Sequence, residues 1–131
     1  MNLPAEIDLQ PELHRFLVEW ARQYPEIEQI VLFGSRALGN AKKGSDVDLA
    51  VVGTQVTQSL VDKFHTTLEE DTLFPYFFDV VHLNTIQNPA LREQIQTHGH
   101  IIYNILASAS EPSYGKSLES GSKTNFSDLQ K

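Results

Sequence analysis

Two short apolar runs set the limits on how this chain folds. Residues 27–33 (IEQIVLF) alternate and are rich in β-branched side chains, and residues 46–52 (DVDLAVV) repeat that character. Runs of this length, bounded by turn-forming residues, read as strands rather than helices. A third, residues 77–83 (FFDVVHL), is led in by Pro75. A few short strands cannot bury both faces alone and must be covered by helices. The chain supplies them. Leu13, Phe16, Leu17, Trp20 and Ala21 recur at helical spacing, with Pro11 near the start and Pro25 beyond the end. Leu60, Val61, Phe64 and Leu68 mark a second helix. Asn88–Pro89 is a helix start, and Gly99 after His98 is its stop. Residues 101–106 (IIYNIL) close the order as a short strand or extended segment. Strands and helices interleaved in this way predict an α+β or α/β sandwich, with helices packed on a small sheet.

The chain has 131 residues, one domain's worth. Residues 1–106 carry the periodic segments and residues 107–131 do not. The latter hold seven of the ten serines and few apolar residues, and predict a flexible polar tail. Their three acids and three lysines cancel, so the net charge of -7 belongs to residues 1–106. That charge argues against direct nucleic-acid binding, which relies on clustered Lys and Arg. No apolar run is long enough to span a membrane. The opening MNLPAEIDLQ lacks the layout of a signal peptide, so a cytoplasmic location is expected. The absence of cysteine excludes disulfides, thiolate zinc sites and a cysteine nucleophile.

The chemistry lies between the first two strands and at the third. Asp46 and Asp48 are two apart, which in a strand puts both on one face, ~6.5–7 Å apart. At that distance two carboxylates repel by about 2–3 kcal/mol at an effective dielectric near 20. A hard divalent cation removes that penalty, and oxygen-only ligands suit Mg²⁺ or Mn²⁺. Val47, Leu49 and Val51 then face the core. Asp79 offers a third carboxylate if the third strand neighbours the second. An isolated D-x-D is more often just a polar strand start. Gly34–Ser35, separated from Asp46 by ten residues, changes the weighing. Gly34 permits close backbone approach, while the Ser35 hydroxyl and nearby N–H groups can cradle phosphate. Arg36 adds a forked cationic donor.

Gly34-Ser35-x10-Asp46-x-Asp48 resembles the signature of the polymerase-β-type nucleotidyltransferases. In length and in FGSRALGNAKKGSDVDLAV the chain resembles the minimal nucleotidyltransferases, the MNT proteins, commonly the antitoxin half of HEPN/MNT toxin–antitoxin pairs. The resemblance spans roughly residues 10–106. It implies a nucleotidyltransferase fold, a small mixed sheet with its first two strands antiparallel and helices on one side. It implies that Asp46 and Asp48 bind metal and that Asp79 is the third catalytic carboxylate. ATP would lie with its triphosphate against Gly34, Ser35 and Arg36. The implied product is a HEPN-type RNase toxin carrying AMP on a hydroxyl, expected to be a tyrosine, within a hetero-oligomer. Two rival readings remain: an antitoxin that masks its toxin by contact alone, and a small-molecule nucleotidyltransferase of the aminoglycoside-modifying kind. The chain is short for the acceptor lobe that the latter would need.

Other features carry less. Residues 39–45 superficially resemble a P-loop but lead into a strand. Lys42 and Lys43 are expected to be loop lysines with no specific role, with phosphate contact as the alternative. His82 lies three residues after Asp79, on the opposite face, and reads as structural. His14 and His65 lie on helices with no partner at metal-ligand spacing, and His98 and His100 flank the helix stop. Phe16, Trp20 and Phe64 read as core. Of Tyr76, Phe77 and Phe78, the expected role is passage into the sheet core, with adenine contact as the alternative.

Overall fold

The computed structural model describes residues 8–39 and 46–106. The tail at 107–131 and the loop residues Lys42, Lys43 and Ser45 lie outside them.

Helix α1 (Pro11–Ala21) begins on a proline, whose missing N–H costs nothing in the first turn, and buries Leu13, Leu17, Trp20 and Ala21. Strand β1 (Gln29–Phe33) follows, then a single helical turn, α2 (Ser35–Leu38), and β2 (Val47–Val52). Helix α3 (Gln58–Glu70) is capped by Thr57, which accepts from the Leu60 N–H at 3.1 Å. It buries Val61, Phe64 and Leu68. Strand β3 (Phe78–His82) runs into a 3-10 turn at Leu83–Thr85. Helix α4 (Pro89–His98) is capped by Asn88, which accepts from the N–H groups of Ala90 and Leu91. Strand β4 (His100–Asn104) ends the domain.

The sheet is mixed, in the order β3-β2-β1-β4. β1 is antiparallel to β2 and to β4, and β2 is parallel to β3. A parallel pair needs a long crossover, which α3 provides. Ile30, Leu32, Val47, Leu49 and Val51 face α1 and α3 in the main core, where Trp20 stacks on Phe64 at 4.5 Å.

The helices are not confined to that side, as the resemblance implied. Val31, Phe33 and Ala50 form a second, smaller core on the opposite face, with Ile95 of α4. The reason lies in β1: all five of its residues are buried, so both of its faces need cover. Gly99 ends α4 as expected, but not through a left-handed turn. Its backbone is extended, and a Cβ there would collide with the Ile95 carbonyl and Val31. The turn α2 falls in a stretch that reads as loop; four residues are too few to show a helical period.

Candidate active site

The second face of the sheet is only partly covered by α4, and its other end carries the acids. Val47, Leu49 and Val51 point into the core, so Asp48 points away from it. In the ladder Asp48 stands opposite Asp79 on β3 and opposite Phe33 on β1. Neighbouring strands are ~4.8 Å apart, so two carboxylates rise side by side from one row of the sheet. Asp46, one residue before β2, joins them from the strand's lead-in. Asp46 and Asp79 are exposed, and Asp48 is half-buried between them.

That crowding shows in the Asp48 carboxyl. It is pushed up from the ordinary 3.8 to about 6, first by desolvation, then by the charges of Asp79 and Asp46. Arg36 opposes the rise and has the smallest influence of the four. Among the described residues, the site therefore holds more negative charge than its cations neutralise.

Gly34 closes the site from the β1 side. Its φ of 77° lies in the left-handed region that side chains avoid, and a Cβ would run into the Asp48 carboxylate oxygen and stand 3.1 Å from its Cγ. Glycine is thus required twice over, by conformation and by the close approach. Its carbonyl accepts from the N–H groups of Ala37 and Leu38, which starts α2 with Ser35 as first residue. Gly39, also at φ 77°, ends the turn.

Arg36 lies differently from the expectation of an open phosphate donor. It is 4% exposed, pairs with Asp8 at 3.2 Å, and has its guanidinium carbon 4.5 Å from the Tyr76 ring centre. Of the three aromatics before Asp79, Phe78 enters the core and Tyr76 packs against it. Phe77 alternates to the acid-bearing face and is 72% exposed. Sequence reasoning misses Asp8 altogether and misses the contact of Tyr76 with Arg36, because each lies far along the chain from the residue it touches.

Three of the five histidines have structural bonds. His14 bonds the Ile102 carbonyl at 2.8 Å and His82 the Gly53 carbonyl at 2.9 Å. His65 does have an acid partner: Glu69, one turn on, stands 3.4 Å away. Together they hold the backbone of Phe78, His65 at its carbonyl and Glu69 at its N–H.

Among the described residues, no three ligating side chains are already disposed to close on one metal ion. A complete protein cage is not what Mg²⁺ requires. It keeps several waters and binds through one or two carboxylates together with substrate phosphates. Asp46, Asp48 and Asp79 are a donor set of the right chemistry, and burial together with the two neighbouring acids raises the Asp48 carboxyl where a cation would relieve the crowding.

A mixed sheet with a glycine turn packed on the first of its acids defines a nucleotidyltransferase-type domain. The chain belongs to the family described as Polymerase beta, Nucleotidyltransferase, which matches residues 16–106. No curated protein sequence matches the chain. Among solved structures, a toxin–antitoxin with AMP-PNP is similar at 24% identity and TM-score 0.53, covering 70% of this chain and 73% of that one. The toxin–antitoxin MntA–HepT is similar at 21% identity and TM-score 0.51, covering 76% of each chain. These neighbours share the fold expected from the sequence.

Proposed function

We propose that the chain is a Mg²⁺- or Mn²⁺-dependent nucleotidyltransferase. It moves AMP from ATP to a tyrosine hydroxyl of a cognate HEPN-type RNase toxin, and so acts in the cytoplasm as that toxin's antitoxin. The observation that carries this reading is the Asp48–Asp79 pair, opposed in register, with the Gly34 backbone against the Asp48 carboxylate. Family membership supports the reaction class. The two toxin–antitoxin neighbours, one with AMP-PNP, support the partner and the nucleotide.

The residues divide the work. The Gly34 and Ser35 turn holds the triphosphate, with Ser35 donating its hydroxyl. Asp46 and Asp48 would hold the metal, and Asp79 would add a ligand on the acceptor side. A divalent cation bound there supplies charge neutralisation for the triphosphate and for the oxygens that gain charge in the reaction. Asp79, at the outer edge of the row, takes the proton from the incoming hydroxyl. That oxygen then bonds to the α-phosphorus, the bond from the α-phosphorus to the bridging oxygen breaks, and pyrophosphate leaves. Holding the three groups in line is the main contribution of the protein.

The test is incubation with α-labelled ATP, Mg²⁺ and the protein encoded beside this chain. Label should appear on the partner and vanish with Asp46→Ala plus Asp48→Ala. Absence of label, or label undiminished in the double variant, refutes the reading. A double variant that still neutralises the partner at equal concentration would show masking by contact instead.

A further inference from the structure

We propose that Arg36 is a positioning residue rather than a phosphate ligand, and that with Asp8 and Tyr76 it forms a clasp holding the phosphate turn in register with the acid-bearing strands. The proposal rests on the nucleotidyltransferase reading of the site and assigns one of its residues a different task.

Three segments meet at this guanidinium. The first is the chain before α1. The Asp8 N–H donates to the Arg36 carbonyl at 2.9 Å, and Arg36 Nη1 donates to the Asp8 carbonyl at 3.3 Å. The Asp8 carboxylate adds an ion pair at 3.2 Å to the same nitrogen. Leu9 beside it is buried in the main core, so Asp8 is anchored. The second segment is α2 itself, which begins directly after Gly34. The third is the lead-in to β3, whose Tyr76 ring packs on the guanidinium three residues before Asp79. Arg36 thus links the turn that would hold phosphate to the strand that carries the acceptor-side acid.

The chemistry suits arginine. Its planar fork bonds to backbone and carboxylate on its edge while its face stacks on an aromatic ring, which lysine cannot reproduce. A side chain 4% exposed and engaged in this way is turned inward. Its work is geometric: a misplacement of ~1 Å of reacting groups can cost ~100-fold in rate.

Arg36→Gln tests the clasp at its centre. Asp8→Ala tests it at a half-exposed partner whose loss leaves the core intact. With full-length protein and its acceptor, each variant should lower kcat by roughly 10-fold or more and leave the KM for ATP within about threefold. The double variant should be no slower than the slower single, because both cut the same link. Hydrogen exchange of the amides of residues 33–39, followed by mass spectrometry, should accelerate in both variants alike. That readout needs no acceptor, so a failure of AMP transfer in the wild type would count against the proposed function and leave the clasp still tested. A rise of 10-fold or more in the KM for ATP with Arg36→Gln, while Asp8→Ala is silent in kinetics and exchange, would make Arg36 a phosphate ligand and overturn the proposal. So would rate losses that multiply in the double variant.

Discussion

Asp48→Asn should stabilise the metal-free protein while abolishing its activity. The Asp48 carboxyl is raised from 3.8 to about 6 in the fold. The folded chain therefore binds a proton here more tightly than the unfolded chain. The favourable contribution is fully present below pH ~4, where both states are protonated, and is lost as pH rises through about 6. Above that, the folded state carries an ionised group in a site that resists it. At about 1.36 kcal/mol per pH unit, the interval from 3.8 to about 6 gives an upper bound near ~3 kcal/mol. Asp48 is half-buried, and solvent screening reduces this to roughly 1–2 kcal/mol. Asparagine has the same shape without the charge. At pH 8 in EDTA the variant should melt about 4–16 °C above wild type, since a domain of this size shifts by ~4–8 °C per kcal/mol. At pH 4.5, between the two values, the gain should have fallen to about half or less of its size at pH 8. Millimolar Mg²⁺ should then raise the wild-type melting temperature and leave the variant nearly unmoved, because ligand binding to the folded state alone stabilises it. Thermal melts across pH 4.5–8, with and without Mg²⁺, read all of this. Equal melting temperatures at pH 8, or a gain as large at pH 4.5 as at pH 8, would refute the electrostatic reasoning.

Two further perturbations separate site from scaffold. Gly34→Ala forces a Cβ onto a backbone at φ 77° and into the Asp48 carboxylate; it should cost ~1–2 kcal/mol and abolish nucleotide transfer, as read by chemical denaturation and labelled ATP. Phe64→Ala removes a fully buried ring that stacks on Trp20. It should cost about 3–5 kcal/mol in urea denaturation, a large share of the ~5–15 kcal/mol that holds a domain of this size together.

Much of this protein was legible from local pattern. The spacing of Leu13, Leu17 and Trp20, and of Val61, Phe64 and Leu68, belongs to helices because burial of one stripe repeats every 3.6 residues. The alternation around Asp48 required that its carboxylate and the side chains of Val47 and Leu49 point to opposite faces. Asn88–Pro89 marks a helix start because the cap bonds within three residues of itself. Each of these rests on interactions between near neighbours in the chain.

What only the tertiary structure decided are the meetings of distant residues. Asp79 becomes a site residue because α3 returns β3 parallel to β2, in a register that sets it against Asp48. A slip of one residue would have turned it into the core. The Asp48 carboxyl is raised because that register crowds like charges beside it. Arg36 has the composition of a phosphate ligand in the sequence, yet Asp8 and Tyr76 reach it from 28 and 40 positions away and turn its charge inward. Local periodicity specifies which face a residue takes. Which residues share that face depends on strand order and register, and those are settled only when the whole core closes.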